Sequence, residues 1–168
     1  MEAGSKKVLI SAPAKYPDIT IILGFNDDKL EGKHKIISNA SCTTNGLGAL
    51  VKVLDDNYEI TQGLMTTTHS YTNSQKIVDS VRSDKPIKMT RGRSAAQNII
   101  PTSTGVAKAI GSIFPHLNGK LDGIAMRGPT VDRSIVDLKV NIKNVPSQKE
   151  DIDEKMKNAT SGNLNGIL

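Results

Sequence analysis

Little in this sequence is aromatic, and almost nothing carries sulfur reactivity. Of 168 residues two are Phe, three are Tyr and none is Trp, so the core has to be built from aliphatic side chains. A single cysteine, Cys42, excludes an internal disulfide. With one cysteine, three histidines and no His pair at ligand spacing, no metal site is expected. No apolar run approaches the roughly 20 residues that cross a bilayer, and Met1-Glu2-Ala3-Gly4 does not read as a signal peptide. The expectation is a soluble, cytoplasmic protein without a membrane partner. Acidic residues are outnumbered 17 to 22 by Lys and Arg, for a formal charge of +5. The basic residues are scattered among acids and lack stacking aromatics, which argues against a specific nucleic-acid groove and points to phosphate-sized anions instead.

What remains is ordinary globular composition, 37% hydrophobic and 23% charged, in a chain long enough to bury a core. The apolar runs Lys6–Pro13, Ile19–Asn26 and Lys35–Asn39 read as three strands. Without clean alternation, they suit a parallel sheet buried on both faces. The polar stretch from Asn26 to Lys35 between them reads as a loop. Leu47, Leu50, Val51 and Leu54 recur at helical spacing and end at Asp55-Asp56-Asn57, which predicts a helix beginning near Cys42. The threonine-rich segment 59–72 predicts a long strand that delivers His69 to its far end. Residues 73–97 are polar and basic without a sustained period, with Lys85-Pro86 and Lys88 among them, and a connection of that length is usually functional or disordered.

After Pro101, a small-residue helix is expected from Thr102 or Ser103 until Pro115 stops it. Strands then follow at Leu121–Arg127 and Ser134–Lys143, and the short Gly128–Asp132 link suggests antiparallel neighbours. Ser147-Gln148-Lys149-Glu150 resembles a capping box opening a last helix through about Asn158, with Ile152 and Met156 inward. Gly46-Leu47-Gly48 is a near match to a dinucleotide fingerprint. Val51 stands where the third glycine belongs, so close backbone packing is the simpler reading.

The chemistry converges on Ser38-Asn39-Ala40-Ser41-Cys42-Thr43-Thr44-Asn45-Gly46. A thiol at a strand-to-helix turn faces unpaired N–H groups and a partial positive charge, which favours thiolate. His69 follows at a distance that a helix and a return strand can close, and a Cys/His pair is what covalent catalysis at an acyl or aldehyde carbon requires. By spacing alone two readings stay open: a catalytic pair, or a buried structural thiol and an ordinary core histidine.

Three motifs in register carry a resemblance. Ser38-Asn39-Ala40-Ser41-Cys42-Thr43-Thr44-Asn45, then Thr67-Thr68-His69-Ser70-Tyr71-Thr72-Asn73, then Asn98-Ile99-Ile100-Pro101-Thr102-Ser103-Thr104-Gly105, together resemble the phosphorylating glyceraldehyde-3-phosphate dehydrogenase family. Ser11-Ala12-Pro13-Ala14-Lys15, Leu117–Leu121 and Ala125-Met126-Arg127 fit in the same order.

The resemblance implies an α/β fold with an α+β catalytic domain over residues 42–168. Its sheet would be mixed and largely antiparallel with helices on one face, preceded by remnant strands of a Rossmann-type NAD domain over residues 1–41. It implies Cys42 as nucleophile and His69 as base, with the Cys42 amide helping to hold the developing oxyanion. One phosphate would sit on Thr72 and Arg127, the other on Ser41, Thr43, Thr104, Gly105 and Arg91, and Ser11 would contact the cofactor NAD. The implied partners are D-glyceraldehyde 3-phosphate and inorganic phosphate, in a homotetrameric enzyme of glycolysis. Erythrose-4-phosphate dehydrogenase, or a non-catalytic interaction module, is the alternative. The resemblance begins near the end of the family's nucleotide-binding domain and stops before its C-terminal elements. The expectation is therefore a chain that brings the nucleophile, base and phosphate ligands without the pyrophosphate cradle, and turns over nothing alone.

Overall fold

The computed structural model describes residues 4–81 and 89–168. Lys85-Pro86 and Lys88, in the basic connection noted above, lie outside the described residues. In chain order the elements are β1 (Val8–Ile10), β2 (Ile19–Thr20), β3 (Ile36–Ser38), α1 (Cys42–Tyr58), β4 (Ile60–Ser70), β5 (Ile100–Ser103), α2 (Val106–Ile113), β6 (Leu121–Gly128), β7 (Ser134–Ile142) and α3 (Lys149–Ser161). Short 3-10 turns occupy Asp27–Lys29, Met89–Gly92 and Pro115–Leu117.

The strands form two sheets. The first has order β1-β3-β2 and is parallel throughout. The second has order β5-β6-β4-β7, with β4 and β6 parallel and the other two pairings antiparallel. The fold is thus α/β with the mixed, largely antiparallel sheet expected. One face of that sheet meets the helices: Ile60 and Met65 of β4 and Leu121 of β6 pack with Leu47 and Val51 of α1 and Val106 and Ile110 of α2. Each fully buried Leu or Ile there contributes about 1.5–3 kcal/mol. Leu64, Ile124 and Ile135 are exposed on the same strands, so among the described residues the opposite face is uncovered.

α1 starts where the Ser41 side chain accepts a hydrogen bond from the Thr44 amide at 3.0 Å. It closes where Asp55 Oδ1 accepts from the Ile60 amide at 3.0 Å and Glu59 turns to φ 57°. Gly48 faces Ile22, Phe25 and Ile110 at ordinary contact distance, which is the close packing that its place in the sequence suggested.

Five expectations need correction. β6 and β7 are not partners but lie on either side of β4. Their connection crosses the end of β4 instead of making a hairpin: Ser70 N and Oγ both donate to Arg133 O, and Tyr71 N donates to Gly128 O. Thr102 and Ser103 are strand, not the start of a helix, because residues 100–103 pair with residues 124–127 of β6, and α2 begins only after Gly105. Pro101 sits comfortably there because β5 is an edge strand. β2 ends at Thr20, where Asn26 turns the chain by accepting from Ile22 N and donating to Thr20 O. The capping box lies one residue later than read, with Asp151 accepting from Gln148 N, and α3 runs on to Ser161. Finally, the first sheet is not buried on both faces, since Leu9 and Ile36 are exposed.

Candidate active site

The Cys42 side is built from one contiguous stretch. At the end of β3 the Ser38 hydroxyl donates to Ala12 O and accepts from Ala40 N, tying β1 to the turn. Ala40, buried, takes φ 58°, a conformation that costs a non-glycine residue of order 1 kcal/mol and is often stored at functional sites. Asn45 Nδ2 holds the bend by donating to Asn39 O and Ser41 O at 3.0 and 2.8 Å. The consequence is that Cys42 is the first helical residue of α1, exposed, beside first-turn amides that have no intrahelical acceptor.

The His69 side is assembled from three strands. β4 carries His69 and β6 carries Arg127, and the two are register partners in the parallel ladder. β5 pairs with β6 and brings Ser103, Thr104 and Gly105 to the same place. His69 Nε2 lies 3.6 Å from Cys42 Sγ. On the other side of the ring, Nδ1 lies 2.8 Å from Ser70 O and 2.6 Å from Arg127 Nη1, which also donates to Ser70 O at 3.0 Å.

A cavity of about 360 Å³ joins the two sides. Cys42, His69 and Arg127 line it together with Ser41, Thr43, Thr104 and Gly105. Pro13, Ala14, Thr20 and Ser38 form the wall contributed by the first sheet, at the carboxyl ends of its parallel strands. That is where open parallel sheets receive ligands.

Three residues singled out from the sequence lie outside this lining. Thr72 is exposed just past β4, and Ser11 is exposed after β1. Arg91 comes from the 3-10 turn Met89–Gly92, near enough for its positive charge to act on Arg127. Burial holds the Arg127 guanidinium below its ordinary value; Cys42 opposes that shift when charged, and Arg91 adds to it. Among the described residues, Nε of Arg91, Nε of Arg127 and Nε2 of Gln75 are buried without a hydrogen-bond partner. Of these residues Arg127 lines the cleft, and a cationic donor left without an acceptor there favours an anion.

Gln75, beside Thr72, was not singled out from the sequence. It is buried, and its Oε1 accepts from both Thr72 N and Thr72 Oγ1 at 2.9 and 3.1 Å. The next amide, Lys76 N, donates to Arg91 O, so one short segment holds both Thr72 and Arg91. The available signal was a glutamine three residues after a threonine at a strand end, the spacing of a side-chain-closed turn.

Residues 41–168 match the family described as "Glyceraldehyde 3-phosphate dehydrogenase, C-terminal domain". The whole chain is 54% identical over 168 residues to the glyceraldehyde-3-phosphate dehydrogenases of Mycobacterium avium and Mycobacterium tuberculosis (strain ATCC 25618 / H37Rv), covering 48% of each. It is 52% identical over 169 residues to glyceraldehyde-3-phosphate dehydrogenase 1 of Bacillus subtilis (strain 168), covering 49% of it. The chain therefore spans about half the length of these relatives.

Proposed function

The chain belongs to the glyceraldehyde 3-phosphate dehydrogenase family, and from that premise we propose that its cleft is the acyl-forming and phosphorylating part of an NAD-dependent aldehyde oxidation. The substrates are D-glyceraldehyde 3-phosphate and inorganic phosphate, and the product is 1,3-bisphosphoglycerate. The observation that carries the proposal is Cys42 Sγ at 3.6 Å from His69 Nε2, at a helix N-terminus and inside a cleft lined by anion-binding groups.

Cys42 Sγ attacks the aldehyde carbon, and the carbonyl oxygen gains its charge close to the first-turn amides of α1, which hold it. His69 takes the Cys42 thiol proton, passes it to that oxygen to give the thiohemiacetal hydroxyl, and removes it again as the hydride leaves. Pro13, Ala14, Thr20 and Ser38, with Ser11 just after β1, would hold part of NAD, which would supply the acceptor for the hydride whose loss turns the thiohemiacetal into a thioester. Inorganic phosphate on Ser41, Thr43, Thr104, Gly105 and Arg91 then attacks the thioester carbon, and the Cys42–carbon bond breaks to return the thiolate. The phosphate carried by the substrate rests on Thr72 and Arg127, the former shaped by Gln75. No G-x-G-x-x-G occurs in the 168 residues, so the wall formed by the first sheet serves only part of a dinucleotide.

In this reading residues 1–41 belong to the nucleotide-binding domain and 42–168 to the catalytic domain, in a cytoplasmic homotetramer. The uncovered face with Leu64, Ile124 and Ile135 supports assembly. Among the described residues no helix is long and apolar enough to cross a membrane. The erythrose-4-phosphate alternative is not favoured, since the relatives above carry the other name at over 50% identity.

The acyl-transfer half can be tested without the cofactor. Acetyl phosphate should acylate Cys42 in this chain, read as an acetyl mass increment on the intact protein. Cys42→Ser should abolish the increment, and His69→Asn should slow its formation by about 10²- to 10⁴-fold. Acylation elsewhere in the chain, or an unchanged rate in His69→Asn, would sink the assignment.

A further inference from the structure

The contacts at His69 Nδ1 are mutually incompatible, and the conflict is informative. A ring nitrogen carries either a hydrogen or a lone pair. Ser70 O, at 2.8 Å, accepts only if Nδ1 bears the hydrogen. Arg127 Nη1, at 2.6 Å, can only donate, because a guanidinium has no acceptor and keeps its protons. While Arg127 holds its position, Nδ1 is the acceptor and the ring proton of neutral His69 sits on Nε2, directed at Cys42 Sγ 3.6 Å away. In that tautomer the ring donates to a thiolate but has no lone pair at Nε2 with which to take a proton in the cleft. Once Arg127 withdraws, Nδ1–H donates to Ser70 O and Nε2 becomes a base.

We propose that Arg127 is a positioning residue that gates the base, and that a phosphate-class anion in the cleft opens the gate by drawing Arg127 off His69 Nδ1. The inference rests on the reading of the cleft as an anion-binding acyl-transfer site and adds to it the order of events, in which the base is armed only after the anion arrives.

Several features favour the exchange. Arg127 is incompletely satisfied where it stands: its Nε is buried without a partner, and the acceptors of its Nη1 are a ring nitrogen and Ser70 O, both uncharged. Arg91, whose Nε is likewise buried and unpartnered, adds a like charge close by. A phosphate oxygen accepts charge-assisted, paired hydrogen bonds from a guanidinium, roughly twice as strong as those to a neutral acceptor. Ser70 O already waits at hydrogen-bonding distance, so the ring keeps a partner at Nδ1 in either state. One proton leaves Nε2 and one arrives at Nδ1 through solvent; the ring gains and loses none. A cleft without its anion thus holds a His69 that cannot accept a proton at Nε2.

Histidine tautomers can be read directly from two-bond proton–nitrogen correlations of the ¹⁵N-histidine-labelled chain. Without phosphate, His69 should be the Nε2–H tautomer. Saturating inorganic phosphate should move the tautomer ratio at least about tenfold toward Nδ1–H, a modest demand on a charge-assisted hydrogen bond. Arg127→Met should show Nδ1–H with and without phosphate. His34, whose Nδ1 accepts from the Glu31 amide, and His116, whose Nε2 meets Asp55, lie outside the cleft and should stay put. If phosphate shifts the amide of Thr72, which shares its anion site with Arg127, while the His69 ring does not change, the gate is wrong and the functional reading stands. If Arg127→Met keeps the Nε2–H tautomer, the gate is likewise overturned. If no cleft amide responds to phosphate, the anion-binding reading fails and takes the gate with it.

Discussion

The two sheets of this chain are held by different means. The four-stranded sheet has its own core, in which α1, α2, β4 and β6 contribute Leu47, Val51, Ile60, Met65, Val106, Ile110 and Leu121. The parallel sheet has strands of two or three residues and packs through Ile22 and Ala40 onto Ile113, with Phe25 edge-on to Phe114 at a centroid distance of 6.2 Å. Its outer side leaves Leu9 71% and Leu23 62% exposed. The larger unit is thus self-supporting, while the smaller one is fastened along one side to α1 and α2. The cleft lies on that seam, with Cys42 at the joint, so opening of the small sheet moves one wall of the site and leaves the His69–Arg127 side in place.

Three perturbations test that contrast. The largest effect belongs to Ile110→Ala. This fully buried side chain touches the core of the larger unit, and its loss should cost about 2–5 kcal/mol of global stability by denaturant unfolding. A cost below about 1 kcal/mol would mean that α2 is not part of the main core. Gly123→Ala should come next. A Cβ there would run into Met65 O, the neighbouring backbone of β4, and overpacking of this kind costs about 1–3 kcal/mol. Because β4 and β6 carry His69 and Arg127, this variant should also slow acylation of Cys42, whereas intact kinetics would uncouple the ladder from the site.

The smallest effect concerns acid. Asp18 Oδ2 accepts from the amides of Ile36 and Lys35 at 2.9 and 2.7 Å, and these bonds, Ile36 first, hold its carboxyl below the ordinary 3.8. A carboxylate lowered on folding stabilises the fold fully above its unfolded value and stops doing so as pH falls through the lowered one. Acidifying below about pH 3.8 should therefore speed amide exchange at β3 before it does so at β4. Asp18→Asn should remove that pH dependence. Simultaneous loosening of both sheets would break the distinction drawn here.

Much of the site could be read from local chemistry. Ser41 before Cys42 is a capping residue, and Leu47, Leu50, Val51 and Leu54 place α1 after it, so the thiol at a helix start followed from nearest neighbours. Thr66-Thr67-Thr68-His69 reads as extended because β-branched residues favour strands, which put His69 at a strand end. Thr102 and Ser103 misled for the same reason in reverse: both are good helix-capping types, but their backbones were claimed by β6. Likewise Gly128–Arg133 has the composition of a hairpin turn, yet it crosses the end of β4, because Ser70 and Tyr71 offer that link its hydrogen-bond partners. Gln75 was invisible, since a turn glutamine becomes informative only when Thr72 is known to be a ligand candidate.

The sequence by itself determined a thiol at the head of α1, a histidine at the end of a long strand, an aliphatic core and a surplus of positive charge. These depend on capping, periodicity and composition, which act over a few residues. Only the tertiary structure decided that β6 runs beside β4 in parallel, with Arg127 opposite His69 and its Nη1 at 2.6 Å from the ring. Which strand pairs with which depends on whole hydrophobic faces finding cover, and no short stretch contains that information.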